Sequence, residues 1–185
     1  VAVYTQQNRI GSELAYEGDI INLRVDQCEL NGRRVVREVV EHNGGVVILC
    51  QPSPEQIVLI KQYRYSVNQD LIEFPAGRIE KGEDPLPAAQ RELTEETGYE
   101  ANQWSELTRF FSAPGFCNEV LYLYRATDVR FSGKNLDEDE ETEVILLDIA
   151  EAWELVKSGK VKDAKTTAGI AMLYSELCEK KLAVR

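Results

Sequence analysis

Three glutamates, Glu92, Glu95 and Glu96, stand near the C-terminal end of an expected helix within the run Gly77 to Tyr99, G-R-I-E-K-G-E-D-P-L-P-A-A-Q-R-E-L-T-E-E-T-G-Y. Carboxylates at that end oppose the helix dipole at about 0.3–1 kcal/mol each before screening. Glu92 and Glu96 also repel across one turn by about 0.2–0.5 kcal/mol. Arg91, four residues before Glu95, relieves part of this charge and not all of it. A bound cation would relieve the rest, and oxygen-rich carboxylate clusters that keep several waters suit magnesium.

The elements that must position these acids can be read locally. Asp84 is suited to cap a helix whose first residue is Pro85, where a missing N–H costs nothing, and Gly98 to close it in the left-handed conformation, so the helix should span about Pro85 to Thr97. At roughly 100° per residue, Leu86, Ala89 and Leu93 form an apolar stripe and the three glutamates occupy the adjoining arc. The acids thus border the buried face. Ahead of the helix, Ile72-Glu73-Phe74 reads as a strand end and Pro75-Ala76-Gly77 as a tight exit, with Gly77 allowing close backbone approach and unusual dihedrals. Strand, glycine loop and acidic helix together suit a diphosphate held through metal.

Composition narrows the function classes. The 185 residues are 43% hydrophobic and 29% charged, with a formal net charge of -11, which describes a globular chain with one main core. Such acidity argues for metal-mediated phosphate binding and against an exposed nucleic-acid surface. Cys28, Cys50, Cys117 and Cys178 are far apart and form no C-x-x-C pair, so reduced thiols are expected rather than a disulfide frame or zinc site. The single histidine, His42, makes histidine-rich metal sites and a Ser-His-Asp triad poor candidates and is read as structural. No apolar run approaches the ~18 residues that span a bilayer. The opening V-A-V-Y-T-Q-Q-N-R lacks the pattern of a signal peptide, so no membrane partner and a cytoplasmic location are expected.

Along the chain, Ile20–Glu41 alternates apolar and polar residues around Asn31-Gly32, a hairpin signal. With Val3–Arg9 as a further strand, residues 1–43 are expected to form a small antiparallel β unit, too small to be stable alone, and residues 44–185 the main domain. Strands are expected at Gly45–Cys50, Gln56–Tyr65, Leu71–Phe74, Glu106–Phe111, Leu121–Arg125 and Val144–Leu147, and closing helices at Ile149–Ser158 and Ala164–Lys180. A mixed sheet with helices on either side is the natural packing. A polar acidic loop lies around Asp137–Glu141.

The run from Gly77 matches G-x(5)-E-x(7)-R-E-U-x-E-E-x-G-U, with Gly77, Glu83, Arg91, Glu92, Leu93, Glu95, Glu96 and Gly98 in place, and so resembles the Nudix box of the Nudix hydrolases. Arg37–His42, Gln62-Tyr63-Arg64, Ile72–Gly77, Ser112-Ala113-Pro114-Gly115, the acidic Asp137–Glu140 with Glu143-Val144, and Asp163–Thr166 are similar to the branch of ADP-ribose pyrophosphatases and nucleoside diphosphate sugar hydrolases. The resemblance implies an α/β/α sandwich with a mixed sheet and hydrolysis of the diphosphate linkage to a nucleoside monophosphate and a sugar phosphate. Tyr99 departs from the pattern, filling a position usually held by a bulky aliphatic residue, and should pack with its hydroxyl at the pocket edge.

Carried over position by position, the resemblance places metal ligands at Glu92 and Glu96, with Glu95 accessory and the Ala76 carbonyl completing the shell. Two or three magnesium ions are implied, or manganese. Arg91 would orient the acids, and Glu83 would tie the loop to the helix or reach a metal through water. Arg64 would contact phosphate, its fork suiting two phosphate oxygens. Glu73 would face the substrate, and Gly77, Pro114 and Gly115 would complete its surroundings. The catalytic base would be Glu138 or Glu140 of the acidic loop, unless the metals alone activate water. The β unit would exchange between subunits of a homodimer and help build the nucleoside pocket, with Tyr4 or Tyr16 among the stacking candidates. Two rival readings are a Nudix hydrolase acting on nucleoside triphosphates, dinucleoside polyphosphates or coenzyme A, and a nucleotide-sensing module without catalysis. A calcium-binding acidic protein is disfavoured because no D-x-D-x-D-G loop is present.

Overall fold

A computed structural model describes residues 8–133 and 142–183. The acidic-loop candidates Glu138 and Glu140, together with Tyr4, lie outside the described residues. The chain clusters into two compact units, one formed by Val1–Gly44 with Phe110–Leu121, the other by Gly45–Arg109 with Tyr122–Arg185.

The first unit is built on an antiparallel sheet of β1 (Asn8–Glu17), β2 (Asn22–Leu30) and β3 (Arg33–Glu41) in the order β1-β2-β3. The β2–β3 turn is the expected one: Asn31 and Gly32 both take positive φ, 51° and 73°, the geometry that matches strand twist in a two-residue hairpin. The expected strand at Val3–Arg9 instead begins at Asn8 among the described residues and runs to Glu17, with two bulges against β2. The segment 110–121 joins this unit through β3, where Val40 N–H donates to the Phe116 carbonyl at 2.8 Å and Asn118 N–H to the Val40 carbonyl at 3.1 Å. His42 serves here structurally: its backbone N–H donates to Asn118 Oδ1 at 2.9 Å and its Nδ1 accepts from Gly44 N–H at 3.0 Å.

The second unit holds the core. β4 (Gly45–Cys50) is buried along its whole length, and Ile57 to Ile60 of β5 (Gln56–Arg64) are fully buried, a continuous apolar pattern that fits strands covered on both faces. β6 (Gln69–Glu73) pairs antiparallel with β5, and β7 (Ala76–Arg78) with β4. Pro75–Gly77 is therefore more than an exit from a strand, since Ala76 and Gly77 enter a second sheet opposite Val47 and Val46. After helix α1 (Pro85–Thr97) come β8 (Tyr99–Phe111), β9 (Val120–Phe131) and β10 (Thr142–Asp148), then helices α2 (Ile149–Lys157) and α3 (Ala164–Ala183). The sheet orders are β10-β5-β6 and β7-β4-β9-β8. The fold is mixed α/β as expected, with two sheets rather than one in this unit. No described helix is long and apolar enough to cross a membrane.

Candidate active site

Helix α1 has the expected limits, and its ends are set by backbone chemistry. Pro85 occupies the first turn, Asp84 is extended but makes no side-chain cap bond, and Gly98 closes the helix at φ 75° with its N–H on the Thr94 carbonyl at 2.9 Å. The buried face differs in one place from the expected stripe. Leu86 is exposed, and Ala88 takes its place beside Ala89 and Leu93 on the helix that packs against β4 and β7. Glu92 and Glu96 lie within the buried set, 8% and 1% exposed, while Glu95 is half-buried.

Arg91 gathers the acids. Its guanidinium reaches Glu92 Oε1 at 2.8 Å, Glu95 Oε2 at 2.9 Å, both carboxylate oxygens of Glu83 at 3.2 and 3.1 Å, and the Arg78 carbonyl at 3.2 Å. Partial burial would lower the Arg91 pKa, but its bonds to Glu83, Glu92 and Glu95 outweigh this and hold it well above the usual value. The same pairing, aided by the Glu80 N–H, holds Glu83 below the ordinary carboxylate range against a small opposing effect of burial. Glu83 thereby ties the loop after β7 to the helix.

The loop side closes on the same carboxylates. Ala76 N–H donates to Glu96 Oε2 at 2.9 Å. A Cβ placed on Gly77 would lie 1.8 Å from Glu92 Cδ, so the Glu92 carboxylate occupies the space that any other side chain at position 77 would need. Thr142, at the start of β10, donates its hydroxyl to the Glu96 carbonyl at 2.8 Å and fixes the helix end to that strand.

A second charged group surrounds Glu73. The carboxylate is 1% exposed and receives Arg64 Nε at 2.7 Å and a terminal Arg64 nitrogen at 2.9 Å. Lys165 also binds it. Burial pushes the Glu73 pKa up, but the Arg64 bonds and Lys165 outweigh this and hold it below its ordinary value. Asp163 contacts Lys165 at 3.0 Å through one oxygen and accepts Thr166 N–H at 2.9 Å through the other. Lys165 lies within the Asp163–Thr166 segment, where sequence alone gives it no role; a buried acid with two cationic partners is visible only in three dimensions.

Pro114 and Gly115 belong to the first unit, where they line a cavity of about 450 Å³ with Arg37, Glu38, Phe111 and Phe116. The two phenylalanines, 58% and 60% exposed, were missed as candidates. Their large exposure could not be anticipated from local pattern, although Phe116 directly follows the singled-out Pro114-Gly115.

The donors on α1 are carboxylate oxygens, the ligand chemistry of hard divalent cations, and the Gly77 cradle brings backbone within reach of Glu92. Among the described residues, no three His, Cys, Asp or Glu side chains converge as a complete metal cage.

Residues 41–169 match the NUDIX domain family. The chain is 39% identical over 177 residues to the methanol dehydrogenase activator of Bacillus methanolicus, covering 94% of this chain and 95% of that one. It is 38% identical over 171 residues to the ADP-ribose pyrophosphatase of Bacillus subtilis (strain 168), with 91% and 92% covered. To the GDP-mannose pyrophosphatase of Salmonella typhimurium it is 33% identical over 157 residues, with 78% and 82% covered. A crystal structure of an ADP compounds hydrolase superposes with a TM-score of 0.82 at 22% identity, covering 96% of each chain, which shows a shared fold.

Proposed function

From the premise that this chain belongs to the NUDIX domain family, we propose a divalent-metal-dependent enzyme that splits the diphosphate linkage of a nucleoside diphosphate sugar, with ADP-ribose as the first substrate to try. The observation that carries this reading is the α1 cluster, in which Arg91 holds Glu83, Glu92 and Glu95 while Ala76 and Gly77 close on Glu96 and Glu92. The relatives named ADP-ribose pyrophosphatase and GDP-mannose pyrophosphatase support the substrate class.

In this reading Glu92 and Glu96, with Glu95 accessory and the Ala76 carbonyl, hold magnesium, two or three ions in number. The bound ion supplies charge neutralisation of the diphosphate and a lowered pKa for the attacking water. Arg91 keeps the carboxylates apart and aimed. Glu73 holds Arg64 by one edge, which leaves the other terminal nitrogen of Arg64 to meet a phosphate oxygen. Glu138 or Glu140 takes the proton from water.

A homodimer belongs to the same reading, with residues 1–43 as the exchanging unit. Ile10, Leu14, Tyr16 and Val36, each about half exposed or more on the three-stranded sheet, support this reading as apolar surface that a second chain would cover. Light scattering at micromolar concentration should report twice the chain mass; a monomer would defeat the dimer.

The deciding experiment incubates the protein with magnesium and a panel of ADP-ribose, other nucleoside diphosphate sugars and nucleoside triphosphates, and identifies products. Nucleoside monophosphate with sugar phosphate is expected. Pyrophosphate release from triphosphates would move the chain to another branch. A second reading, action on an alcohol dehydrogenase, rests on identity to the methanol dehydrogenase activator; adding the protein to a methanol dehydrogenase assay and finding the rate unchanged would remove it.

A further inference from the structure

On the reading that Arg64 meets a phosphate oxygen, we propose that Lys165 is a positioning residue for the hydrolysis, acting through Glu73 to hold Arg64 in the pose that faces the substrate. The first turn of α3 thereby joins the parts that set the phosphate contact. Neutralising Glu73 needs one cation, and Arg64 already provides it; Lys165 adds direction.

The need for such a hold comes from the chemistry of the pair. The last torsion of a glutamate is broad and roughly two-fold, so a single partner leaves the carboxylate plane free to turn. An arginine fork can meet a carboxylate edge-on, through Nε and one terminal nitrogen, or end-on, through both terminal nitrogens. The edge-on pairing seen at 2.7 and 2.9 Å keeps one terminal nitrogen of Arg64 outside the pair. End-on pairing would keep neither, and a phosphate oxygen would lose its donor.

Lys165 binds Glu73 Oε2, the oxygen that also takes the Arg64 terminal nitrogen. It is itself held, with Nζ 3.0 Å from Asp163 Oδ1 and both side chains largely buried, 14% and 17% exposed. Asp163 Oδ2 accepts the Thr166 N–H at 2.9 Å, which ties that carboxylate to the helix. Thr166 is fully buried, and its Oγ1 accepts the Phe74 N–H at 2.9 Å. The turn therefore grips the end of β6 twice, at the Glu73 carboxylate and at the next backbone N–H. With both held, the carboxylate plane is set, and the Arg64 side chain, coming from the end of β5, meets it edge-on. A carboxylate free to turn would follow the guanidinium into either pairing.

Lys165→Met keeps an unbranched stem and removes the ammonium. In ADP-ribose hydrolysis it should raise KM about tenfold or more while kcat changes by less than about threefold, the pattern of lost substrate binding. Nitrogen-15 NMR of the intact protein gives a readout without substrate. The Arg64 Nε–H signal, assigned by its absence from Arg64→Lys, should exchange with water at least about tenfold faster in Lys165→Met. Lys165→Gln takes the place of methionine in both measurements if the methionine variant does not fold. An unchanged Nε–H exchange rate in the folded variant would overturn the assignment, and so would a fall in kcat at unchanged KM. The NMR readout decides the hold on Arg64 even where ADP-ribose is not hydrolysed, a result that would remove only the substrate reading.

Discussion

Glu73 takes Arg64 edge-on, with Nε at 2.7 Å and a terminal nitrogen at 2.9 Å, while itself only 1% exposed. Buried carboxylates paired this way keep an arginine in one orientation. Lys165 shares the same carboxylate, so β5, β6 and the start of α3 meet at one charge. Glu73→Gln should leave Arg64 with a weaker, uncharged acceptor and Lys165 with Asp163 as its remaining carboxylate, and cost about 2–3 kcal/mol of stability, read as a fall in urea midpoint. The KM for ADP-ribose should rise as Arg64 loses its fixed pose. An unchanged midpoint would show that the network contributes nothing net.

The same carboxylate has a pH signature. Its folded pKa lies below the ordinary value of 4.5, because the Arg64 and Lys165 interactions outweigh burial. A depressed carboxylate contributes stability that is full above the unfolded value and is lost as pH falls through the folded one. As pH falls below the ordinary value of 4.5, the wild-type protein should therefore lose stability more steeply than Glu73→Gln. Parallel curves over that window would deny the link.

Legibility in the sequence followed the range of the interactions. The limits of α1 could be read because Pro85 and Gly98 act on their own backbone, and the Asn31-Gly32 hairpin for the same reason. β8 was expected only from Glu106 but starts at Tyr99, since the polar residues Glu100, Asn102 and Gln103 conceal a strand whose sheet neighbour, β9, lies farther along the chain. Tyr99 itself packs as expected, against the core cluster and edge-on to Phe131 at 5.6 Å. The acids of the box were legible as a cluster, yet their division between Arg91 and the Ala76-Gly77 backbone was not. Lys165 and Glu73 stand 92 positions apart, beyond any periodicity.

Glu96→Gln tests the metal assignment with little disturbance of shape. Glutamine keeps an oxygen for Ala76 N–H but removes the charge that a divalent cation needs. Turnover of ADP-ribose should fall by at least about 100-fold, with weaker magnesium activation and an unchanged far-ultraviolet dichroism spectrum. Retained turnover would remove Glu96 from the ligand set.

Cysteine reactivity should follow burial. Burial pushes the Cys50 thiol up to about 12, and thiolate is the reactive form. Native alkylation near pH 8 followed by mass spectrometry should label Cys117 and Cys178, which are half-buried, and leave Cys50 unmodified until the protein is denatured. Early modification of Cys50 would mean that the fully buried strand β4 opens readily.

Gly77→Ala separates backbone strain from lost space. Gly77 is not among the positive-φ glycines, so alanine meets no backbone penalty; its Cβ would instead fall 1.8 Å from Glu92 Cδ. Relief requires the Glu92 carboxylate to swing away, breaking its 2.8 Å bond to Arg91, or β7 to withdraw from β4. A misplacement of about 1 Å in a catalytic group can cost about 100-fold in rate. Gly77→Ala should therefore lose about that much turnover and need more magnesium for half-activation, while its melting temperature shifts by only a few degrees if the side chain gives way. A large drop in melting temperature would show that the strand yields instead. Full activity in the alanine variant would mean that Glu92 does not work from the position it occupies against Gly77.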